Sequence, residues 1–324
     1  MFSKDSLKLK IQTAVTVALI ASGIIPAVQA EVTDASVNNA AGTTIDEGSG
    51  TVAVDLDNGG TFTITNAGTI EASAAKDNMF GIQVENPNTT VSNLTNTGTI
   101  IGETTATNKY GGFGINVRSN GSIGTLNNSG LIKGRGRRFT GIGIYMSGGS
   151  ISSLINSSRG IIEGIAGDGL GGGQSGSSAY GAIISGSGPS SSSADIDNDG
   201  IIRGLSDTSS AYGLFTYNDI GTLDNSGTIL GQGDTSDAHG VRLRGYSRTS
   251  ITTLNNSGTI SGVAGASRAI GLQITTERVG TVNNSNTINA TSATSISYGL
   301  EFFGDNRINT TIENLNNTET ISAS

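Results

Sequence analysis

A five-residue unit, Asn-x-Gly-Thr-Ile, recurs along the chain and constrains the fold more than any other feature. Four copies match it in full, beginning at Asn66, Asn96, Asn225 and Asn256, and five looser copies close on an isoleucine at the equivalent position. The intervals between these isoleucines average about 31 residues, a period typical of solenoids. A degenerate tenth copy covers residues 39–45. The closing residues are Ile70, Ile100, Ile132, Ile162, Ile202, Ile229, Ile260, Ile288 and Ile321.

Two further blocks accompany each repeat. One has the pattern aromatic-Gly-apolar-x-apolar, as at residues 80–84 and 113–117, and the other has the pattern Ile-x-x-Leu-x-Asn, as at residues 123–128. Each repeat thus carries three short alternating segments separated by Gly and Asn. Such segments are too short for stable helices, and one repeat alone cannot bury its apolar side chains. We therefore predict an all-β, right-handed parallel β-helix of about ten coils with three strands per coil. Its predicted inward residues include Ile82, Val84, Leu94 and Ile100.

Disorder and β-hairpins are the alternatives to stacked coils. The chain has 49 Gly, no Trp and 5% aromatic residues, a composition that disordered segments share. Only 14% of residues are charged, however, and the apolar residues recur at fixed positions, which favours a folded chain. Near-identical strands separated by a constant interval favour parallel stacking of like on like over hairpins.

An asparagine recurs at the same position of each repeat and is predicted to form a structural ladder. An Asn amide both donates and accepts a hydrogen bond, so it can bind the same amide one coil away, and Asn tolerates the left-handed backbone of a tight bend. The repetition favours this interpretation over a catalytic or glycosylation role. The predicted rungs are Asn66, Asn96, Asn128, Asn156, Asn198, Asn225, Asn256, Asn284 and Asn317.

The domain organisation begins with a segment typical of a signal peptide over residues 1–30. Three lysines precede a 15-residue apolar stretch, and Val28-Gln29-Ala30 resembles a cleavage site. A membrane anchor is the alternative, although the stretch is short for a bilayer. Residues 31–60 are predicted to form an N-terminal cap and a first degenerate coil. Residues 61–324 are predicted to form the repeats, with an enlarged Gly/Ser-rich loop at 164–193, and no later segment is apolar enough for a membrane helix.

The net charge limits the classes of partner, and the absence of cysteine limits how the fold is stabilised. The formal net charge is −8, and removal of residues 1–30 makes it more negative, which argues against nucleic acid as a partner. Cys is absent, although an exported protein is free to form disulfides. Either the fold is stable enough without disulfides, or disulfides would obstruct a later export step.

No residue pattern indicates catalysis, a metal or a cofactor. The single histidine, His239, occupies the column of Phe80 and Tyr212, which favours a packing or turn role over a general base. The sequence at 167–172 matches Gly-x-Gly-x-x-Gly but lies in a Gly/Ser run with no helix to follow. Acids in the predicted outward positions of the aromatic-Gly strands occur only at the two ends, at Glu85 and Glu301, too far apart to act as a pair.

The same outward positions predict a binding strip. Aromatic faces and arginine forks suit sugars and carboxylates, although exposed strands commonly carry both residue types. A second basic cluster, Lys133, Arg135, Arg137 and Arg138, is predicted to lie in a loop, where solvation is the simpler explanation than docking. The candidate ligand-binding residues are Arg118, Tyr145, Phe215, Tyr217, Arg242 and Arg244.

With these repeats after a cleavable signal peptide, residues 31–324 resemble the passenger domain of bacterial autotransporters. The resemblance implies export through the periplasm to the cell surface and a C-terminal β-barrel translocator in the outer membrane as partner. This chain ends three residues after Ile321, without such a barrel. The resemblance defines architecture well and activity poorly. We expect a structural or adhesive module without enzymatic activity that contacts a host or cell-surface glycan or protein; the alternative is a carbohydrate-active β-helix enzyme.

Overall fold

In the computed structural model, the described part of the chain consists of β-strands, turns and loops, without a helix. The strands form three parallel sheets, and each coil contributes one strand to each sheet. The predicted all-β parallel solenoid with three strands per coil is therefore confirmed. The described residues are 28–29, 31–47, 50–75, 78–105, 111–137, 139–167, 177–185, 194–217, 219–244, 250–275, 278–302 and 310–324.

Sheet 1 contains the Thr-Ile block of the repeat and has eleven strands in the described residues. Because β-branched residues favour extended backbone and the segment ends in glycine or a small residue, each strand is short. The strands are β1 (Val28–Gln29), β4 (Thr44–Asp46), β7 (Thr69–Ala74), β10 (Thr99–Thr104), β13 (Leu131–Gly136), β16 (Ile161–Ala166), β19 (Ile201–Ser206), β22 (Thr228–Gly233), β25 (Thr259–Ala264), β28 (Thr287–Ser292) and β31 (Ile321–Ala323).

Sheet 2 contains the aromatic-Gly-apolar block and has ten strands in the part of the chain that the structure describes. The strands are β2 (Val32–Thr33), β5 (Val52–Leu56), β8 (Met79–Val84), β11 (Gly112–Arg118), β14 (Gly141–Ser147), β17 (Ala179–Ser185), β20 (Ala211–Thr216), β23 (Ala238–Arg244), β26 (Ala269–Thr275) and β29 (Ser297–Phe302).

Sheet 3 contains the Ile-x-x-Leu-x-Asn block and also has ten described strands. The strands are β3 (Val37–Asn39), β6 (Gly60–Asn66), β9 (Thr89–Asn96), β12 (Ser122–Asn128), β15 (Ser150–Asn156), β18 (Ala194–Asn198), β21 (Ile220–Asn225), β24 (Ser250–Asn256), β27 (Arg278–Asn284) and β30 (Thr311–Asn317).

The coils number about eight where the repeat is regular, fewer than the ten predicted. Strands β7 to β28 of sheet 1 are all six residues long, whereas β1, β4 and β31 at the two ends are two or three residues long. The terminal copies of the repeat are degenerate in sequence, so they form only partial strands. Between these ends, equivalent residues pair in register, as Ile100 does with Ile132 in the next coil.

The inward columns form one continuous core along the rod. The predicted inward residues Ile82, Val84, Leu94 and Ile100 have no solvent-exposed surface. Since full burial of an aliphatic side chain stabilises a fold by about 1.5–3 kcal/mol, the column supplies the main driving force for stacking. A single coil has no such core, which explains why the repeats fold as an array.

A glycine seam brings sheets 1 and 2 into backbone contact. A Cβ atom at Gly102 of β10 would lie 1.9 Å from the carbonyl oxygen of Phe113, and one at Gly134 of β13 would lie 1.8 Å from that of Ile142. No side chain fits in that distance, so this column must be glycine wherever the sheets approach most closely. Near the ends of the array, Ala72 occupies the same column.

The asparagine ladder runs through sheet 3 without interruption in the described residues. Each side-chain amide donates a hydrogen bond of 2.7–2.8 Å to the amide oxygen of the equivalent asparagine in the following coil, from Asn39 to Asn317. Each rung also donates to backbone carbonyls, as Asn66 does to Thr99 at 3.0 Å. The prediction that these asparagines have a left-handed backbone is wrong, because none of the ladder residues has a positive φ. The amide chemistry alone accounts for the residue type.

Two predicted segment boundaries differ from the structure. Val28 and Gln29, inside the predicted signal peptide, form β1 and pair with Thr44 and Ile45, while residues 1–27 and 30 lie outside the described residues. The predicted loop at 164–193 is wrong where it overlaps the end of β16 and the whole of β17, because β17 repeats the aromatic-Gly-apolar block as Tyr-Gly-Ala. Residues 168–176 and 186–193, including most of the Gly-x-Gly-x-x-Gly match, lie outside the described residues.

Candidate binding face on sheet 2

Glycine determines which side chains of sheet 2 face outward. In β20, a Cβ atom at Gly213 would lie 2.6 Å from the carbonyl oxygen of Gly240 and 2.7 Å from Ile229 of sheet 1, so Gly213 faces the interior. Leu214 also belongs to the interior core. Two consecutive inward positions break the period-two alternation of the strand, and Tyr212 and Phe215 therefore share the outer face.

The outer face of sheet 2 carries stacked aromatic rings. Tyr180 and Tyr212 stack at 4.8 Å between ring centroids, and Tyr212 stacks on His239 at 4.9 Å. Phe215 contacts Tyr212 edge-on at 5.2 Å and Tyr217 at 4.6 Å. Stacked and edge-on geometries are the favoured ones for aromatic pairs. The three tyrosines and Phe215 belong to a second apolar cluster, separate from the interior core.

The predicted strip is only partly exposed. Phe215 is 4% exposed, so the prediction that it is a surface residue is wrong, although it does face outward. The alternation pattern determines the side of the sheet on which a residue lies, but it cannot show that neighbouring rings cover it. Tyr145, Tyr217 and Arg242 are half-buried on the same face, as are Arg118 and Arg244.

Arg118 lies apart from the other two arginines. It is four strands away from Arg242 in sheet 2, about 19 Å at the usual strand spacing. Its guanidinium forms an ion pair with Glu85 at 2.7 Å and lies over the Phe80 ring at 6.0 Å. The structure therefore brings together Phe215, Tyr217, Arg242 and Arg244, whereas Arg118 belongs to a neutralised pair nearer the N terminus.

The two arginines of β23 lie over aromatic rings. The guanidinium carbon of Arg242 is 5.8 Å from the Tyr212 centroid and 5.6 Å from the Phe215 centroid, and Arg244 is 5.6 Å from the Tyr217 centroid. Arg242 also donates from Nη1 to the hydroxyl oxygen of Tyr212 at 3.2 Å. Cation–π contacts at these distances stabilise a cation and restrict its orientation.

His239 lies under this surface, with no exposed area. Burial, and then the neighbouring Arg242 cation, lower the pKa of His239 to about 3, so the ring is neutral near pH 7. Neither ring nitrogen has a hydrogen-bond partner among the described residues. A packing role fits this position, since the ring continues the aromatic stack.

The N-terminal end of the same face is acidic. Asp55 pairs in register with Gln83, whose amide donates to Asp55 Oδ1 at 3.2 Å. Burial, and then the Asp57 carboxylate, raise the pKa of Asp55 to about 6. The outer face thus changes from carboxylates in its first coils to arginines around β23.

Two of the four residues of the second basic cluster lie in a strand, which corrects the predicted loop for these two. Lys133 and Arg135 are strand residues of β13 on the outer side of sheet 1. Lys133 lies 3.9 Å from Glu163, which also pairs with Arg203 at 2.6 Å, and Arg135 pairs with Glu103 at 3.1 Å. Alternation and in-register stacking place opposite charges on adjacent coils. Arg138 lies outside the described residues.

The two acids that the sequence predicted at the ends of the outer face of sheet 2 are far apart. Glu85 and Glu301 lie seven strands apart, and each forms an ion pair, with Arg118 and with Arg268 respectively. Within the described ranges, no group of three or more His, Cys, Asp or Glu residues is arranged to hold a metal ion. The same ranges contain no helix that is long and apolar enough to cross a membrane.

Comparison with known proteins gives no match: no family model, no curated protein and no solved structure matches the chain.

Proposed function

We propose that the chain is an exported β-helical passenger module of a bacterial surface protein, and that it adheres to a glycan or protein of a host or neighbouring cell through the outer face of sheet 2. In this proposal it crosses the periplasm and is delivered to the cell surface by an outer-membrane β-barrel translocator. The observation that carries the adhesive role is the cluster of Phe215, Tyr217, Arg242 and Arg244, on a chain of net charge −8.

Two features support export. The N-terminal segment has the charge, apolar length and small residues of a signal peptide. A cysteine-free chain of short-range repeats also suits passage in an unfolded state, because each coil needs only its neighbour in order to fold. Mass spectrometry of the protein recovered from the cell surface is expected to find Glu31 as its first residue. Retention of Met1 in the surface fraction would contradict the signal peptide.

Adhesion is tested by cell binding of the purified chain. The triple substitution Tyr217→Ala, Arg242→Ala, Arg244→Ala is expected to abolish binding, because it removes the ring and both cations at the surface of the cluster. Arg135→Gln on sheet 1 is the matched control and is expected to bind as the unaltered chain does. If the folded triple variant binds cells as well as the unaltered chain does, sheet 2 is not the adhesive face. Turnover of a polysaccharide would favour the enzyme alternative.

A further inference from the structure

We infer that the ligand of this face is a linear polysaccharide bearing carboxylate or sulfate groups, and that Arg242 is the residue that binds its anionic group. The inference rests on the proposed adhesive function and specifies its ligand. It comes from three features of the described residues: the charge of Arg242, the way its guanidinium is held, and the unpartnered polar atoms around it.

Arg242 is a half-buried cation without a carboxylate partner among the described residues. Other cations of the rod have such partners: Arg203 pairs with Glu163 at 2.6 Å, and Arg268 pairs with Asp237 at 3.1 Å. Removing a charge from water is costly unless an opposite charge compensates it. On an acidic chain, a partly desolvated arginine therefore marks a place where an external anion gains affinity.

The aromatic rings hold the guanidinium of Arg242 in a fixed position. Tyr212 and Phe215 lie at 5.8 and 5.6 Å from its central carbon, and the Tyr212 hydroxyl accepts from Nη1. The Nε–H group is buried and has no partner in the part of the chain that the structure describes. An arginine fork that is already oriented loses little side-chain entropy when it binds a planar carboxylate or a sulfate.

Unpartnered buried polar atoms are concentrated on this face. Of seven such side-chain atoms in the described residues, five lie here: Asn116 Oδ1, both ring nitrogens of His239, Arg242 Nε and Gln273 Oε1. Gln273 pairs in register with Arg242 in the next coil, and its amide nitrogen donates to Glu301, which leaves its oxygen as an acceptor. Folded proteins leave few buried polar atoms unpaired. Four of these atoms, on His239, Arg242 and Gln273, lie on the adjacent strands β23 and β26, so hydrogen-bonding capacity beside Arg242 is left unused within the described chain.

The shape of the face favours a polysaccharide over a protein. The side chains form columns parallel to the rod axis, with one outward residue per coil at a spacing of ~4.8 Å. A linear sugar polymer offers apolar ring faces to the half-buried Tyr217 and an anionic substituent to the half-buried Arg242. Aromatic side chains with a polar edge suit such mixed surfaces.

Binding of the purified full chain to immobilised polysaccharides tests the inference. Polygalacturonate supplies carboxylates, its fully methyl-esterified form is the matched neutral polymer, and dextran sulfate and dextran form the sulfated and neutral pair. We expect binding to one or both anionic polymers, and at least about tenfold weaker binding to the neutral forms. The anionic polymer that binds more tightly identifies the chemical source of the anion.

The variant Arg242→Gln is expected to weaken binding to the anionic polymer at least about tenfold while it keeps the melting temperature of the unaltered chain. Arg135→Gln, which removes an equal charge from sheet 1, is expected to change binding less than twofold. Equal affinity for anionic and neutral polymers, or unchanged affinity in a folded Arg242→Gln variant, would overturn the inference.

Cell binding separates this inference from the proposed function. If the chain adheres to cells through Tyr217 and Arg244, but anionic polysaccharides neither bind nor compete, the adhesive function stands and the acidic-glycan inference fails. If the chain binds neither cells nor any polysaccharide, both fail.

Discussion

Two columns of side chains run along the same rod and differ in how much they change from coil to coil. The ladder in sheet 3 is asparagine at every rung from Asn39 to Asn317. The outer column of sheet 2 changes its residue type at almost every coil, although its backbone register is just as regular. Its residues are Gln83, Asn116, Tyr145, Ile183, Phe215, Arg242, Gln273 and Glu301.

The difference separates what the fold requires from what it permits. A rung of the ladder must donate to one neighbour and accept from the other, and only a side-chain amide of the right length does both in this geometry. The outward column meets no such requirement, because the coils are already held by the core and the ladder. Residues in the outer column can therefore differ between coils without loss of stability. We expect substitutions in the interior to reduce stability and substitutions on the outer face to change binding.

The largest effect is expected in the glycine seam. Gly134→Val should destabilise the fold by at least about 3 kcal/mol or prevent folding, because even a Cβ atom would lie 1.8 Å from a backbone carbonyl oxygen. Chemical denaturation or soluble yield measures the loss. In the same column, Ala72→Gly serves as the control and is expected to cost only about 0.5–1 kcal/mol. A Gly134→Val chain as stable as the unaltered one would show that the sheets are not in backbone contact.

The next largest effect is expected in the ladder. Asn156→Ala removes the acceptor of Asn128 and the donor to Asn198, and we expect it to reduce the free energy of unfolding by about 1–3 kcal/mol. The half-buried amide of Asn255, which donates to Asp224 and accepts from Asn283 on the outer side of sheet 3, offers the comparison. Asn255→Ala should cost less than about 0.5 kcal/mol. Similar losses at the two positions would mean that burial of the ladder adds nothing.

His239 is expected to respond in the opposite direction. His239→Phe removes two unpartnered nitrogens from a buried aromatic stack and should stabilise the chain by about 1 kcal/mol near pH 7. The pKa of about 3 in the folded chain lies below the ordinary value of 6.5. The part of the free energy of unfolding that depends on a neutral ring is therefore complete above pH 6.5 and is lost as the pH falls toward 3. Thermal melts from pH 7 to 3 should therefore decline less steeply for His239→Phe. Equally steep declines in the melting temperatures of the two chains would indicate that the His239 ring has a hydrogen-bond partner.

The smallest effect is expected at Asp55, where stability changes with pH in the opposite direction to that at His239. Its folded pKa of about 6 lies above the ordinary 3.8, so its stabilising contribution is present below pH 3.8 and is lost as the pH rises through 6. At pH 7.5, Asp55→Asn should raise the free energy of unfolding by less than about 1 kcal/mol, and the melting temperature should rise with it. At pH 3.5 both quantities should stay unchanged. A gain of equal size at both pH values would exclude relief of the carboxylate as the cause.

The repeat was sufficient to predict parallel stacking, three strands per coil, and the burial of Ile82 and Leu94. These features depend on spacing and residue type, which are explicit in a sequence. The burial of Phe215 and the strand position of Lys133 were not predicted, because each depends on contacts between coils. The glycine seam was also missed, since a glycine column has the same sequence pattern in a turn as at a close contact between sheets. Six glycines, each two residues after the closing isoleucine of a repeat from Gly102 to Gly262, were the available signal.

We propose that the interior columns stabilise the fold and that the outer face of sheet 2 binds the ligand. Because the chain has no cysteine, single cysteines placed at Tyr217 on sheet 2 and at Asp224 on sheet 3, in the same coil, can each be coupled to a bulky maleimide. The measurement is binding of each modified chain to cells, with its melting temperature as the check of folding. We predict that coupling at Tyr217→Cys abolishes binding while coupling at Asp224→Cys leaves it intact. Full binding by the chain modified at position 217 would contradict the claim.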